Sequence, residues 1–488
     1  MVRAEAAIPV RMRRVAVVAP ERTLRESLVR IAEAGCVEID LPGDGGPEVH
    51  GPATRRLQRL RGEPARAVLS ESPPDLDALE RAGRADLLAG EAQLEERLGS
   101  AVRHGEVAAL AGWCPETEVG TTAARVAGVG GALVPLRAPR GVDPPTLLTG
   151  ARTALRTMPV RRSFTPLVST YGTVPYADLD PTLPAGVVYV VMFGLMFGDA
   201  GHGLLLVVVA LLLRAGRPRR TAALRSLWPF VAGAGVAATL AGVAYGEFFG
   251  PTGVLPVLWL RPLEEPTRLL ATAVGLGAVL LAAAYAAGIV NRWREGGPAA
   301  ALYSTTGVAG AALYLGLAAV AGAAWLGAVA YASAGAAIAL TGLALAGAGL
   351  YAETAGGPGG AVQTGIQLFD AVVRLGSNVV SFARLAAFGL THAALGAIVW
   401  DGTTALAGQG PAGVVGASLV FVVGNVLTFA LEALVAGVQA LRLEFYELFS
   451  RLFEGQGRPF RPWRLPVEHV LGPAPAGVTA GPVRKEQS

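Results

Sequence analysis

The sequence predicts an α-helical polytopic membrane domain of eight spans, preceded by a small α+β cytoplasmic domain. Hydrophobic residues make up 52% of the 488 residues, whereas charged residues make up only 16%. No charged side chain occurs between Gly296 and Ala352, and a run of this length needs at least two bilayer crossings of about 20 residues each. Residues 1–180 are instead rich in Arg, Glu, Asp and Pro, as is typical of a water-exposed domain.

The front of the chain begins with a predicted strand, a helix and a second strand. Residues 14–19 are rich in valine, residues 21–34 have apolar side chains at helical spacing before Gly35, and residues 36–41 look like a second strand. An amphipathic helical segment is expected from Asp75 to Leu110. These elements indicate a small α+β lobe.

A further short α/β piece is predicted to start at Gly112-Trp113-Cys114-Pro115, and the Pro-rich stretch from about Pro144 to Pro184 is expected to be extended. We therefore assign residues 1–183 to the cytoplasmic domain, residues 184–450 to the transmembrane domain and residues 451–488 to a cytoplasmic tail.

The two cysteines, Cys36 and Cys114, match no metal-ligand spacing, and two reduced thiols are favoured over a disulfide in a cytoplasmic domain. The N-terminal residues lack the apolar core of a secretory signal, which places the front domain inside the cell. The net charge of +4 gives no reason to expect nucleic-acid binding. No cofactor and no metal are predicted.

Eight apolar stretches are predicted to span the membrane. The first two are short arms joined at Gly198-Asp199-Ala200, which indicates a hairpin or a broken helix. The stretches are residues 186–197, 201–214, 228–249, 268–291, 302–325, 327–350, 366–400 and 414–449.

Arginines in the connections between the spans predict their orientation. Five arginines follow the second arm, two follow the fourth span and four follow the eighth. The alternate connections hold only Arg261, with Arg268 at a boundary. Because positive charge accumulates on the cytoplasmic side, both termini are placed in the cytoplasm.

Arg384 is the residue that bears most directly on function. It is surrounded by apolar sequence that continues to Trp400, and an arginine at the centre of a transmembrane helix costs about 2.5 to 3.5 kcal/mol without being able to lose its charge. A second arginine, Arg442, lies late in the last apolar stretch, which also carries Glu432. The alternative interpretation is that one or both arginines snorkel to a membrane surface.

A helical rise of about 1.5 Å per residue converts spacing into depth. From Arg384, Asp370 lies about 21 Å toward the cytoplasm and His392 about 12 Å toward the outside. In the antiparallel last span, Glu432 lies about 15 Å outward of Arg442. If the two spans are neighbours, His392 and Glu432 share an outer vestibule, the arginines meet near the middle, and Asp370 lies on the inner approach.

Three segments resemble motifs of a known family, the a subunit (subunit I) of V-type and archaeal-type rotary ATPases. Residues 193–203, FGLMFGDAGHG, are similar to its hairpin signature. Residues 381–385, SFARL, followed by His392, resemble its seventh-span motif. Residues 431–445 and 453–457, the latter FEGQG, resemble its eighth-span and exit motif. In order and spacing the match covers nearly the whole chain.

The resemblance implies a static subunit beside a rotating ring of small proteolipid subunits, each with one ion-binding carboxylate. It gives Arg384 the role of the essential arginine and Arg442 that of its companion. It places Glu432 and His392 in an outer half-channel and Asp370 on the cytoplasmic side.

The partners that the resemblance implies are the proteolipid ring, a central-stalk cap subunit, peripheral-stalk subunits and a soluble ATPase head. Together they would couple H⁺ or Na⁺ movement to ATP synthesis or hydrolysis in a bacterial or archaeal cell membrane. The chain itself is expected to be a non-catalytic subunit, because its only lysine, Lys485, lies in the tail and cannot serve a phosphate-binding loop.

The hairpin motif has two interpretations. Gly198 and Gly201 allow a tight turn and close helix packing, and Asp199 and His202 can cap the broken helix ends. We favour this structural interpretation over the alternative, a direct role of the motif in the ion path.

The segment between Asp40 and Trp113 is shorter than the resemblance leads us to expect, so a shortened cytoplasmic helical arm is predicted.

An alternative function stays open. A secondary ion-coupled transporter would also place charges at mid-membrane, and its sign would be a repeat of the broken span. The sequence holds no second copy of the Gly198-Asp199 break.

Overall fold

The computed structural model describes residues 10–41, 51–60, 66–138, 142–147, 159–216, 224–354, 356–452 and 457–468. The chain divides into two compact units. We call residues 147–457 the membrane unit, and residues 10–146 together with the chain from residue 458 onward the α/β unit.

The α/β unit is built on antiparallel strands with helices packed against them. Its strands are β1 (Met12–Pro20), β2 (Glu38–Ile39), β3 (Leu69–Ser70), β4 (Val102–His104), β5 (Val107–Pro115), β6 (Ala132–Leu136) and β7 (Val467–Glu468). Its helices are α1 (Glu21–Ala34), α2 (Pro52–Arg59), α3 (Leu76–Arg81), α4 (Ala85–Gly99) and α5 (Val119–Ala127).

The main sheet has the strand order β2-β5-β1-β6, with β4 paired to β5 in a hairpin. Every pair in this sheet is antiparallel, and β1 aligns Met12 with Pro115 at one end and Pro20 with Val107 at the other. Helix α1 ends because Gly35 adopts a left-handed conformation and donates its N–H to the carbonyl of Ile31. The predicted strand, helix and strand at the front of the chain therefore all form.

The predicted helical segment from Asp75 to Leu110 was wrong at its C-terminal end. Helix α4 ends at Gly99, and the chain from Val102 onward forms the hairpin of β4 and β5. Gly105 turns the hairpin with a φ of 60°, which a residue with a side chain rarely adopts. Val102 continues the helical spacing of Leu94 and Leu98 into the hairpin, so the spacing alone hid the change of structure.

The C-terminal part of the α/β unit packs into the same core as the sheet. Trp463 and Leu465 belong to the cluster that also holds Leu28 and Leu110, and β7 pairs in parallel with β3. Residues 458–468, which the sequence analysis assigned to a tail, are thus ordered against the α/β unit.

Helices are the regular secondary structure of the described part of the membrane unit. Its helices are α6 (Pro159–Tyr171), α7 (Thr182–Met196), α8 (Ala200–Ala215), α9 (Trp228–Tyr245), α10 (Pro266–Tyr303), α11 (Val308–Trp325), α12 (Val329–Ala352), α13 (Gly357–Ser381), α14 (Ala383–Ala407), α15 (Gly410–Leu443) and α16 (Ser450–Leu452). A π-helical segment, Glu444–Phe449, joins α15 to α16.

The Pro-rich stretch from Pro144 to Pro184 was predicted to be extended, and this was wrong for its middle. Helix α6 starts at Pro159, where the missing N–H of proline costs no hydrogen bond. Its Phe164 lies under Gly186 and makes an edge-on contact with Phe230 at 5.7 Å between ring centroids. Packing of this helix against the membrane unit outweighs the low helix propensity of its prolines.

Among the residues that the structure describes, six helices are long and apolar enough to cross a membrane. Helices α13 and α14 follow one another so closely that Gly357–Ala407 counts as a single span of 51 residues. The two arms of the hairpin, α7 and α8, have 15 and 16 residues. At about 1.5 Å per residue each is about 23 Å long, which is less than a hydrocarbon core of about 30 Å. The predicted count of eight spans is therefore not confirmed.

The break between α7 and α8 is held against the end of α9. Asp199 caps α8 by accepting a hydrogen bond from the N–H of His202 at 2.9 Å. A Cβ on Gly242 of α9 would lie 2.1 Å from the nitrogen of Ala200, so only glycine permits this approach. The predicted break at Gly198-Asp199-Ala200 thus lies between two helices, as the sequence indicated.

Candidate functional site

Arg384 lies in the first turn of α14, two residues after Phe382. Phe382 is fully buried under Gly277 of α10, where a Cβ on the glycine would clash with its ring, and this contact fixes the start of α14. The Arg384 side chain is half-buried. Its Nη1 atom is buried and has no hydrogen-bond partner among the described residues.

The two predicted arginines lie close enough to repel each other. Arg384 on α14 interacts electrostatically with Arg442 at the end of α15, and also with the carboxylate of Glu447. The structure therefore brings together side chains that are far apart in the sequence. Because the two guanidinium groups share the single carboxylate of Glu447, a net positive charge remains at this point of the membrane unit.

Glu447 was not singled out in the sequence. It interacts with the guanidinium groups of Arg384, Arg442 and Arg451 and lies near the Ser381 hydroxyl, which donates its proton to the carbonyl of Ser377. Glu447 follows Arg442 by five residues, which on an α-helix would point it away. The π-helical segment 444–449 brings residues five apart toward the same face, because its hydrogen bonds run from i to i+5.

Both arginines stand on exposed apolar stripes. Arg384 follows Val380 by four residues, and Arg442 follows Leu434 and Val438 at the same spacing, so each set shares a helix face. Val380, Leu434 and Val438 are 68%, 67% and 52% exposed. In the last candidate span, only 17% of an 18-residue apolar stretch is buried inside the structure. In the other five candidate spans, the buried share is 22% to 39%. The arginines thus border an open apolar surface.

His392 and Glu432 form a direct contact between α14 and α15. The His392 Nδ1 atom pairs with Glu432 Oε2, and the two side chains are 3% and 12% exposed. Phe197 packs on the imidazole with 5.0 Å between ring centroids. The structure thus brings these two predicted residues together inside the membrane unit.

The hairpin residues lie beside this pair. The rings of His202 and His392 are 5.6 Å apart between centroids, and His202 Nδ1 is 3.7 Å from Asp199 Oδ1. Asp199 also accepts hydrogen bonds from the backbone N–H groups of Phe249 and Gly250 at 3.0 and 2.8 Å. Asp199 therefore has the capping role that we favoured, and it also borders the buried histidine pair.

Glu247, in the connection after α9, is a second residue that the sequence analysis missed. Its side chain is 6% exposed, and it interacts electrostatically with His392, Asp199 and Glu432. It lies in the segment Tyr245-Gly246-Glu247-Phe248. An acidic residue among apolar residues at the end of a span was the feature of the sequence that could have identified it.

Asp370 is not brought to this cluster. It is exposed on α13 and pairs with Arg374, one helical turn later, at 2.7 Å between Arg374 Nη2 and Asp370 Oδ2. It lies 14 residues before Arg384 on an almost continuous helix, so the two side chains cannot meet. The exit motif, residues 453–456, lies outside the described residues, and Gly457 donates its N–H to the carbonyl of Thr173 at 2.8 Å.

The chain is similar to proteins of one family. The profile of the V-type ATPase 116 kDa subunit family matches residues 103–228 and 361–465. The A-type ATP synthase subunit I of Aeropyrum pernix is 28% identical over 351 residues, which are 62% of this chain and 50% of that protein. The subunit I of Thermococcus kodakarensis is 26% identical over 390 residues, or 73% of this chain and 54% of that protein.

A shorter match is closer in sequence. The V-type ATP synthase subunit I 2 of Treponema pallidum is 41% identical over 88 residues, which are 18% of this chain and 19% of that protein. The chain spans about half the length of the archaeal relatives that it matches most extensively.

Proposed function

We propose that this chain, which is similar to the V-type ATPase 116 kDa subunit family and to A-type ATP synthase subunit I proteins, is the static membrane subunit of a rotary ATPase. It supplies two ion half-channels and the essential arginine, Arg384, beside a rotating proteolipid ring. Through the ring it couples H⁺ or Na⁺ movement to ATP synthesis or hydrolysis in partner subunits. The observation that carries this proposal is the buried Nη1 of Arg384, which has no hydrogen-bond partner in the described part of the chain and lies at the border of an exposed apolar surface.

An arginine at this position attracts a carboxylate from another chain. A ring carboxylate that faces lipid must be neutral, because an isolated buried anion is strongly disfavoured. The same carboxylate facing Arg384 is compensated by the guanidinium and can release its ion. The exposed stripes around Val380 and Val438 then face the apolar surface of the ring.

The half-channels follow from the positions of the other groups. His392 and Glu432 lead ions from the outer side to the ring, and their direct contact lets a proton pass between them. Asp370 lies on the cytoplasmic side, and Glu447 is an acid that interacts electrostatically with Arg384. The positive charge of Arg384 and Arg442 between the two paths opposes direct leakage of cations.

The partners are the proteolipid ring, a central-stalk cap subunit, peripheral-stalk subunits and a soluble ATPase head, and the chain has no nucleotide site of its own. Both termini lie in the cytoplasm of a bacterial or archaeal cell. Purification in mild detergent is expected to recover a small, very hydrophobic ring protein and soluble ATPase subunits together with this chain.

The decisive experiment replaces Arg384 with alanine in the assembled complex. Arg384→Ala is expected to abolish ATP-driven ion pumping in inverted vesicles, because a ring carboxylate then has no cation to face. Arg268→Ala is the matched control, since Arg268 is an exposed arginine in the first turn of α10 that pairs with Glu265, the residue just before this helix.

Co-purification of the ring subunit shows whether the complex has assembled. Wild-type pumping in Arg384→Ala, with the ring still bound, would refute the proposed role. Equal loss of pumping in Arg268→Ala would show that any lost arginine disables the complex.

A further inference from the structure

A buried cluster of acids and imidazoles lies where the hairpin meets α14 and α15. Asp199 and His202 come from the hairpin, His392 from α14, Glu432 from α15 and Glu247 from the connection after α9. Asp199, His202, His392 and Glu247 are between 0% and 6% exposed, and the side chain of Glu432 is 12% exposed. The sequence predicted no metal site here, because these residues come from four distant segments.

The cluster contains three carboxyl groups and no arginine or lysine. None of the ion pairs of the described residues joins Asp199, Glu247 or Glu432 to an arginine; their charged neighbours are the two histidines. Buried carboxylates need a compensating cation or a proton. The cluster is therefore a place where a cation is stabilised by its surroundings.

His202 has ligand atoms to offer. Its side chain is 2% exposed, and Asn425 lies beside it. Neither Nδ1 nor Nε2 has a hydrogen-bond partner of good geometry among the described residues. A buried imidazole with both nitrogens unsatisfied is costly. A bound cation would satisfy one of them.

The ligand atoms of Asp199, His202 and His392 all lie within 4.8 Å of one another. Three backbone N–H groups, from His202, Phe249 and Gly250, hold the Asp199 carboxylate in place, and a carboxylate has about four lone-pair sites. Glu432 holds the His392 Nδ1 atom, which leaves Nε2 as the free nitrogen. Carboxylates that orient a ligating imidazole in this way are a regular feature of metal sites.

We propose that Asp199, His202 and His392 form a binding site for a divalent transition metal of the Zn²⁺ type, with Glu432 as the group that orients His392. Two imidazoles and one carboxylate suit Zn²⁺ better than Mg²⁺ or Ca²⁺, which prefer oxygen ligands. Three protein ligands leave one coordination position for water.

Metal binding has a consequence for transport that rests on the proposed function. A divalent cation in contact with His392 occupies the outer half-channel and removes a proton-exchanging group. Zn²⁺ on the outer side is therefore expected to inhibit ATP-driven pumping, whereas metal binding itself does not depend on the chain's role in pumping.

The binding test uses the purified, detergent-solubilised complex after treatment with a chelator, with Zn²⁺ alone as the probe. X-ray absorption at the zinc edge is expected to show nitrogen and oxygen ligands at about 2.0 to 2.2 Å with the scattering of two imidazole rings. Zinc bound without imidazole, or no tightly bound zinc in the wild-type complex, would overturn the proposal. This measurement needs no variant and does not depend on how a mutant folds.

Variants test the assignment of the ligands through the affinity for Zn²⁺. His202→Gln is expected to lower the affinity by more than about 100-fold, and Glu432→Gln, which removes only the orienting group, by about 10- to 100-fold. His104→Gln is the control, because His104 is exposed on β4. An unchanged affinity in His202→Gln, or an equal loss in His104→Gln, would contradict the proposed ligand set.

Transport gives a separate readout. Inverted vesicles loaded with Zn²⁺ should pump more slowly than vesicles loaded with Mg²⁺, and the ratio of the two rates should move toward one in His202→Gln. If Zn²⁺ binds through two imidazoles but the ratio is already one in the wild type, the metal site stands and the outer half-channel is placed wrongly.

Discussion

Arg384, Arg442 and Arg451 share one nearby carboxylate, Glu447. One anion among three guanidinium groups leaves an excess of positive charge, and Nη1 of Arg384 has no partner among the described residues. An arginine presents donors in a fixed planar fork and keeps its charge at any physiological pH. At the scale of single residues, the site therefore holds a fixed cation with an unsatisfied donor, as the proposed function requires.

His392 and Glu432 are expected to act as one unit. Glu432→Gln and His392→Gln should each reduce ATP-driven pumping at least about tenfold, because each breaks the contact through which protons pass. The double variant should be no slower than the slower single variant, since residues that act together are not additive. Pumping rates of the wild type, the two single variants and the double variant in vesicles give the coupling energy between His392 and Glu432. Additive losses of activity would show that the two groups act independently.

Asp178, in the connection before α7, predicts a pH dependence of stability. Burial and the neighbouring carboxyl of Glu295 raise the pKa of Asp178 to about 8, whereas its ordinary pKa in an unfolded chain is about 4. Between these values the folded state keeps a proton that the unfolded state has lost. The stabilisation from this group is therefore complete below about pH 4 and is lost as the pH rises to about 8.

Asp178→Asn should remove this contribution to the pH dependence. Between pH 5 and pH 8, the melting temperature of the wild-type protein should fall by about a few degrees more than that of Asp178→Asn. The difference arises because only the wild type loses the stabilisation from the protonated Asp178 over this range. The control is Asp143→Asn, at an exposed aspartate. Identical pH profiles for the wild type and Asp178→Asn would contradict the expected shift.

At the scale of elements, close backbone contact positions the hairpin. Gly203 of α8 lies against Thr239 of α9, and Gly242 of α9 lies against Asp199 and Ala200. Small residues let helices approach closely in membranes, where there is no hydrophobic force between them. The arms α7 and α8 are too short to cross a bilayer alone, so their position depends on these contacts.

Gly242→Ala should destabilise the protein by about 1 to 3 kcal/mol, the usual cost of overpacking. Its Cβ would lie 2.1 Å from the nitrogen of Ala200 and 2.4 Å from the carbonyl carbon of Asp199, and backbone cannot move aside cheaply. Gly275→Ala is the matched control, because a Cβ on Gly275 of α10 meets nothing within 4 Å. Thermal unfolding in detergent measures both, and equal melting temperatures would rule out the packing argument.

At the scale of the whole membrane unit, the connections between the helices fall into two groups, one near each end of α10. The break after α7 and the connection after α9 meet at Asp199 and Gly250. At the other end of α10, Asn291 accepts from the N–H of Leu179 and donates to the carbonyl of Leu452. This grouping agrees with helices that alternate in direction, as the arginine distribution predicts.

Cysteine labelling tests the predicted orientation. Glu264→Cys, in the connection after α9, should react with an impermeant maleimide only from the outer side. Glu353→Cys, after α12, should react only from the cytoplasmic side. Both glutamates are exposed, and the native Cys36 and Cys114 are buried, so the wild type is the control. Labelling of both variants from the same side would refute the topology.

The sequence by itself determined that this is a membrane protein, because long apolar runs have no stable alternative to a bilayer. It also located Arg384 and the break at Asp199, since a charge or a Gly-Asp pair inside such a run is visible without coordinates. From depth and antiparallel direction, the sequence also predicted that His392 and Glu432 share the outer half of the membrane if their spans are neighbours.

Only the tertiary structure decided which other groups meet these residues. Glu447 reaches Arg384 through a π-helical segment that residue spacing does not reveal, and Glu247 and His202 join His392 through contacts between distant segments. The hairpin of β4 and β5 was hidden because its apolar residues continue a helical spacing. Local patterns fix which residues are apolar or charged, whereas neighbours in space depend on packing that no single segment encodes.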